Sequence, residues 1–326
     1  MNAYYTDSPG GWDASRLTER SRREGSENEA LIGVRAVGLN PADAFLIEGR
    51  YPGGPKPPFI SGRDAAGMVL QGDRPGRWQP GDQVIVLQST TTNLREGMLS
   101  EEQWVKSENL TKLPEGWSFA EGAAAPLVYL TALKALQIAR PVSPGEVVVV
   151  TGASGGVGLA AVHLALGLKA TVVALSRSEA KQKLLLEQGA HFAFSPTDER
   201  LKEKIAEATN HKGVDLVVET VGGPSLTAAI HLLGTHGRIG IVGVLAGVEA
   251  TLPIPAVMFK RLSLHGVLVT DDEPATAQSA WSQIVEILRR TSRRPVIDRQ
   301  FPLAETRAAF DHLRGDVFGK VVVEIA

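Results

Sequence analysis

Residues Val147–Val150 form an unbroken run of four Val, followed at once by Thr151-Gly152-Ala153-Ser154-Gly155-Gly156-Val157-Gly158. Consecutive β-branched residues fit a strand buried on both faces, the condition of a parallel sheet. The glycines then turn the chain, and Leu159, Val162, Leu164, Ala165 and Leu166 supply the apolar positions of a helix. Strand, glycine-rich turn and helix in this order match the dinucleotide-binding fingerprint, with Ala153 standing at the first glycine position. The missing side chain at Gly155 lets a pyrophosphate approach the backbone, and Gly158 lets the helix pack close to the strand. The helix N-terminus offers unpaired N–H groups and the positive end of its dipole to that anion. Ser154, Gly155, Gly156 and Val157 are therefore the expected phosphate contacts.

Glycines between a strand and a helix can serve the turn alone, so the surroundings decide. A second strand follows at Thr171–Leu175, a helix closes over Leu184–Ala190, and His191–Phe194 is a third strand. Val214–Val218, Arg238–Val244 and Leu262–Val269 read as further strands, with helices at Leu201–Ala208, Ser225–Leu233 and Ala275–Arg290. Such alternation predicts a parallel, doubly wound α/β sheet. Ahead of it, short apolar runs at Ala30–Val37, Ala65–Leu70, Gln83–Leu87 and Glu102–Val105 are separated by turn residues, as in a β-rich domain. The last strands, Arg299–Phe301 and Lys320–Ile325, flank a helix at Ala304–Leu313 and are expected to return to that first domain. The expected division is 1–117 with 291–326, and 118–290.

A chain of 326 residues has ample core for two domains. Its formal net charge of -2 gives no electrostatic case for nucleic acid or an anionic membrane surface. With no Cys, disulfides and thiolate metal ligands are excluded. No apolar run reaches the length of a membrane span, and the first residues lack a basic-then-apolar leader pattern. A cytoplasmic location is the expectation.

Four segments then carry a resemblance over nearly the whole chain: Gly38-Leu39-Asn40-Pro41-Ala42-Asp43, Pro80-Gly81-Asp82-Gln83-Val84, the turn at 152–158, and Gly319-Lys320-Val321-Val322. In order and spacing the chain resembles the zinc-independent quinone oxidoreductase branch of the medium-chain dehydrogenase/reductases. The resemblance implies a GroES-like β-rich catalytic domain interrupted by a Rossmann domain, with the active site in the cleft between them. Zinc members carry Cys in the first motif and a His-Glu pair in the next. Asn40, Arg63 and Asp64 stand at those positions here, and an amide and a guanidinium are poor zinc ligands. No metal is expected, and His163, His191 and His231 read as packing or surface residues.

The resemblance also suggests which nucleotide. Where NAD-dependent relatives end the second strand in an acidic residue, this chain has Ser176, followed by Arg177 and Lys181. A carboxylate there would repel a 2′-phosphate by about 4 kcal/mol at 4 Å and an effective dielectric near 20. Charge-assisted hydrogen bonds to that phosphate would instead each contribute roughly 1.5–3 kcal/mol. NADPH is the expected cofactor, although Arg177 and Lys181 could equally be the solvated start of a helix, and Pro196 stands where relatives often have a Tyr near the adenine. By family position Thr131 would approach the phosphates and Gly243-Val244 the ribose-nicotinamide end. Leu268 and Val269 would present backbone groups to the carboxamide, with Lys320 reaching back from the last strand.

Without metal or Cys, the chemistry would come largely from the cofactor, which delivers hydride to a quinone or an α,β-unsaturated carbonyl. By resemblance Asn40 would donate a hydrogen bond to the substrate oxygen, and Tyr51 would orient substrate or relay a proton. Arg63 would border the cleft or hold Asp64 in an ion pair. Phe45 replaces a Tyr frequent in the branch, which leaves water as a proton source. A 2-enoyl thioester reductase, served by the Arg289-Arg290 and Arg293-Arg294 cluster, and a non-catalytic NADPH-binding redox sensor are the alternatives. The implied partner is a small electrophile, and the strand near Leu262–Val269 would pair across a homodimer axis.

Overall fold

The computed structural model describes residues 1–87, 96–270 and 272–326. The chain divides into two compact units, one of Met1–Leu127, Thr270–Trp281 and Pro295–Ala326, the other of Val128–Val269 and Ser282–Arg294. Part of the segment Gln88–Leu99 lies outside the described residues.

The first unit opens with β1 (Asn2–Thr6), β2 (Ser15–Glu19) and β3 (Glu29–Gly38). A short helix, α1 (Pro41–Ile47), follows; Pro41 takes the first helical position, where its missing N–H costs nothing. Next come β4 (Phe59–Ile60), β5 (Asp64–Gln71), β6 (Gln83–Val86), β7 (Glu102–Lys106) and β8 (Leu110–Lys112). The helix α2 (Phe119–Ala124) begins at a capping box in which Ser118 and Glu121 bond each other's backbone N–H.

The second unit takes up most of α3 (Pro126–Gln137), then alternates: β9 (Val147–Val150), α4 (Gly156–Gly167), β10 (Thr171–Leu175), α5 (Glu179–Glu187), β11 (Phe192–Phe194) and α6 (Leu201–Ala208). It continues through β12 (Val214–Glu219), α7 (Pro224–Leu232), β13 (Leu233–Ile241), α8 (Ile254–Lys260) and β14 (Ser263–Gly266). Its six strands run parallel in the order β11-β10-β9-β12-β13-β14, the doubly wound order in which ligands bind outside the carboxyl ends of the strands. All four Val of β9 are buried at the centre of this sheet, each side chain contributing about 1.5–3 kcal/mol on burial.

The long helix α9 (Pro274–Thr291) starts in the first unit and ends in the second. Strand β15 (Ile297–Pro302), helix α10 (Thr306–Leu313) and strand β16 (Lys320–Glu324) return to the first unit, where β16 pairs with β3. The fold is thus a GroES-like β-rich part with a Rossmann-like parallel sheet, as expected.

The boundaries differ from those expected. Helix α2 packs on β3 rather than with the parallel sheet: a Cβ at Gly38 would lie 2.9 Å from the carbonyl carbon of Ala123. The first unit therefore extends to 127 rather than 117. Strand β14 is shorter than the expected 262–269, and β13 ends at Ile241, leaving Gly243 and Val244 in a turn.

Candidate functional site

Five polar side chains meet in the interior of the first unit. Asn40, Asp43, Arg63, Asp64 and Lys320 are all buried. Lys320 Nζ donates to Asn40 Oδ1 at 2.6 Å and to the Leu39 carbonyl at 2.7 Å, and lies 3.6 Å from Asp64 Oδ2. Asn40 Nδ2 donates to Asp64 Oδ2 at 2.9 Å, while Asp64 Oδ1 accepts the Leu127 N–H. Asp43 Oδ2 accepts the Asn40 N–H at 2.9 Å, and its Oδ1 faces Arg63 Nε at 3.6 Å. Two acids and two bases balance one another.

Burial raises the Asp64 carboxyl and lowers the Lys320 ammonium, each opposed by the partner's charge. Burial also pushes Asp43 up to about 6 against the pull of Arg63.

This geometry bears directly on three of the expected site residues. Asn40 cannot readily serve a substrate oxygen, because its oxygen is taken by Lys320 and its amide protons point to Asp64 and the Gly38 carbonyl. Lys320 is an internal member of the cluster, not a side chain extended to a cofactor. Arg63 pairs with Asp43 instead of Asp64. The outward end of the cluster is Tyr51: Arg63 Nη1 donates to its hydroxyl at 3.3 Å, and the guanidinium carbon sits 4.4 Å from the ring centre. Tyr51 is only half-buried.

In the second unit the glycine turn runs from the end of β9 into α4. Gly155 is the N-cap of α4 and no side chain caps it. A Cβ at Gly155 would meet nothing but the Gly152 carbonyl oxygen, at 3.5 Å, so its missing side chain serves no internal packing. A Cβ at Gly158, in contrast, would come within 2.6 Å of Ala153 Cα. Gly158 is required by the fold; Gly155 leaves open space at a helix N-terminus, which fits the approach of an anion such as a pyrophosphate. Ser154, Gly155, Gly156 and Val157 are all partly exposed there.

Ser176 directly follows β10, buried, and its Oγ accepts the Ser178 N–H at 3.4 Å while it can still donate its own proton. Arg177 is exposed, and Lys181 is buried on the first turn of α5, whose N-cap is Ser178. Thr131 is buried on α3. Gly243 and Val244 lie in the turn after β13, Val244 half exposed; Leu268 is exposed and Val269 buried beyond the end of β14.

His163 is fully buried, hydrogen-bonded to Tyr129 Oη at 2.8 Å and to Gln188 Oε1 at 2.9 Å. Desolvation lowers its pKa to about 4. With Gln188 accepting from Nε2, Nδ1 accepts from Tyr129, a packing role as expected. Among the described residues no group of three or more His, Cys, Asp or Glu could hold a metal ion.

The GroES-like sheet, the parallel sheet and the open glycine turn define a two-unit α/β oxidoreductase. Residues 26–135 match the family described as alcohol dehydrogenase GroES-like domain, and 156–289 the one described as zinc-binding dehydrogenase. A quinone oxidoreductase from Lama guanicoe is 32% identical over 91% of this chain and 89% of its own length. A structure of an NAD-dependent alcohol dehydrogenase superposes with a TM-score of 0.89 at 27% identity, covering 100% of both chains. The CurK enoyl reductase does so with a TM-score of 0.86 at 26% identity, over 100% of this chain and 99% of that one. The chain belongs to the quinone oxidoreductase family of the medium-chain dehydrogenase/reductases.

Proposed function

We propose that this oxidoreductase uses NADPH to reduce quinones or α,β-unsaturated carbonyl compounds without a metal. The observation that carries the reading is the space left by Gly155 at an uncapped helix N-terminus, within a parallel sheet of doubly wound order. Ser176 in place of an acid, with Arg177 and Lys181 following, supports the phosphorylated nucleotide; a 2′-phosphate would meet no carboxylate at that strand end.

The bound cofactor would supply the hydride, which adds to the electron-poor carbon of the acceptor. The acceptor's oxygen gains the negative charge and takes up a proton. Tyr51, half-buried and held by Arg63, is the group we assign to that oxygen: its oxygen accepts from Arg63 while its proton remains to be donated. Asn40, Asp43, Arg63, Asp64 and Lys320 then act as its charge-balanced support. Where zinc relatives place their ligands, this interior is already filled by an amide, a guanidinium and their partners.

A second copy of this chain is the proposed partner. Strand β14 is an edge of the parallel sheet, and α8 beside it buries none of its residues. Val248, Ile254, Met258, Phe259 and Leu268 are exposed on this side, an apolar surface of the kind that marks association. Sedimentation of the wild type as a dimer and of M258E/F259E as a monomer is the expected outcome.

The likeness to an enoyl reductase favours a thioester substrate as the second reading. The basic cluster it would use is largely committed: Arg289 and Arg290 pair with Glu286, and the Arg293 guanidinium occupies the space beside Gly189. NADPH oxidation measured with 9,10-phenanthrenequinone, an alkenal and crotonyl-CoA separates the readings. Turnover of the first two is expected; fast enoyl reduction with negligible quinone turnover would reject the first reading.

A further inference from the structure

Glu219, the last residue of β12, is completely buried at the end of a strand that is otherwise almost entirely apolar. Among the described residues no Lys, Arg or His forms an ion pair with it. Its Oε1 accepts three hydrogen bonds, from Thr151 Oγ1 at 3.0 Å, the Val221 N–H at 2.8 Å and the Gly222 N–H at 3.1 Å, and Ser225 Oγ approaches Oε2 at 3.4 Å. Thr151 is the residue immediately before the glycine turn. Its Oγ1 also accepts the Thr220 N–H at 2.9 Å, and its carbonyl accepts from Thr220 Oγ1 at 2.7 Å. One buried carboxyl group therefore joins the turn after β9 to the turn after β12.

The same residue reaches a third turn through its backbone. The Glu219 carbonyl accepts the Val242 N–H at 2.8 Å and the Gly243 N–H at 3.3 Å, and the Val221 carbonyl accepts from Ala246 at 2.8 Å. These turns touch backbone to backbone, with no room for side chains. A Cβ at Gly243 would lie 2.5 Å from the Thr220 carbonyl carbon, one at Gly222 2.7 Å from the Gly243 oxygen, and one at Gly152 2.6 Å from Thr220 Oγ1. Displacing any of the three displaces the others, since backbone packed this closely cannot give way locally.

We infer that Glu219 is a positioning residue that locks the turns carrying Gly155 and Gly243 into one rigid unit, so that the two ends of a dinucleotide are received in fixed register. Its meaning for binding rests on the nucleotide reading proposed above; the mechanical coupling does not. Removing the carboxyl group takes the acceptor from the buried Gly222 N–H and the part-buried Val221 N–H, and leaves the Thr151 hydroxyl only the longer contact to the Val218 carbonyl at 3.4 Å. Gln at 219 keeps an acceptor oxygen in place. The hydrogen bonds that join Thr151, Glu219, Val221, Val242 and Ala246 do not include Ser176, Arg177 or Lys181, so the 2′-phosphate end should be indifferent to the lock.

The test compares E219A, T151V and E219Q by hydrogen exchange without ligand and by titration with NADPH and adenosine 2′-monophosphate. Amides of 153–158 and of 243–247 should lose protection together in E219A and T151V, by at least tenfold, and largely regain it in E219Q. NADPH affinity should fall at least tenfold while that of the 2′-monophosphate changes less than threefold. Loss of protection in one turn only, unchanged exchange, or an equal fall for both ligands would overturn the inference. Should E219A not fold, T151V gives both readouts. Should neither nucleotide bind the wild type, the proposed function falls while the exchange result still decides whether Glu219 couples the turns.

Discussion

Around their candidate sites the two units solve the problem of buried polarity in different ways, although the second also buries an ion pair, Arg238 with Glu146, away from its glycine turns. In the first, two acids, two bases and an amide are enclosed together around Asn40 and Lys320, and each charge is tolerated only because another answers it. In the second, glycine turns are held by backbone bonds and one carboxyl group, and the helix packing rests on the uncharged chain Tyr129–His163–Gln188. Side-chain charge gives the first unit a support for Tyr51 that is costly to disturb. Backbone geometry gives the second a surface where small residues leave space for a ligand. A buried ion pair is not in itself a source of stability, but losing one partner is expensive.

That contrast can be broken at Lys320. In K320M the Asp64 carboxyl group is left buried without its cation, and a loss of about 3–5 kcal/mol in denaturant-derived stability is expected. K320M/D64N should recover most of it. If K320M alone were near neutral, the first unit would not depend on charge balance.

Acid sharpens the comparison next. His163 has a folded pKa lowered to about 4 from 6.5, so the unfolded chain binds more protons between those values and stability is lost as pH falls through them. Asp43, raised from 3.8 to about 6, works in the reverse sense: its contribution is present below 3.8 and lost as pH rises through 6. The two units therefore oppose each other across overlapping pH windows. The stability advantage of wild type over H163Q should shrink by on the order of 3 kcal/mol from pH 6.5 to pH 4. A constant advantage would show that His163 is not held neutral.

Within the glycine turn, G158A should destabilise by about 1–3 kcal/mol, since the added methyl enters occupied space. G155A should fold normally, with thermal midpoint nearly unchanged, but bind NADPH at least tenfold more weakly. Equal effects of the two on stability would remove the distinction between the glycine the fold needs and the one the ligand needs. The smallest effect belongs to S176D, expected to cut NADPH affinity about tenfold or more through repulsion while sparing NADH, as read by competitive titration.

Much of the second unit was legible because its physics is periodic: a four-Val strand, alternating helices and a glycine cluster in the right place state a parallel sheet almost residue by residue. The first unit was read less completely. Strands β1 and β4 are short and polar-flanked, and α1 begins at an Asn-Pro pair that reads as easily as a turn. At the site, Ser176 and the turn glycines follow from position, whereas the cluster partners do not. Arg63 sits beside Asp64 in sequence yet forms its ion pair with Asp43, and Asn40 meets Lys320 across 280 residues. Glu219 was passed over as well. An acid closing a largely apolar strand is the available sign, but only tertiary structure shows that the Thr151 hydroxyl and the Val221 and Gly222 N–H groups converge on it.

The most direct test of the central claim is calorimetric titration of the purified chain with NADPH and with NADH. Saturable binding of one NADPH per chain, at least tenfold tighter than NADH and weakened by G155A, is the predicted result. No binding of either nucleotide, or binding indifferent to Gly155, would contradict it.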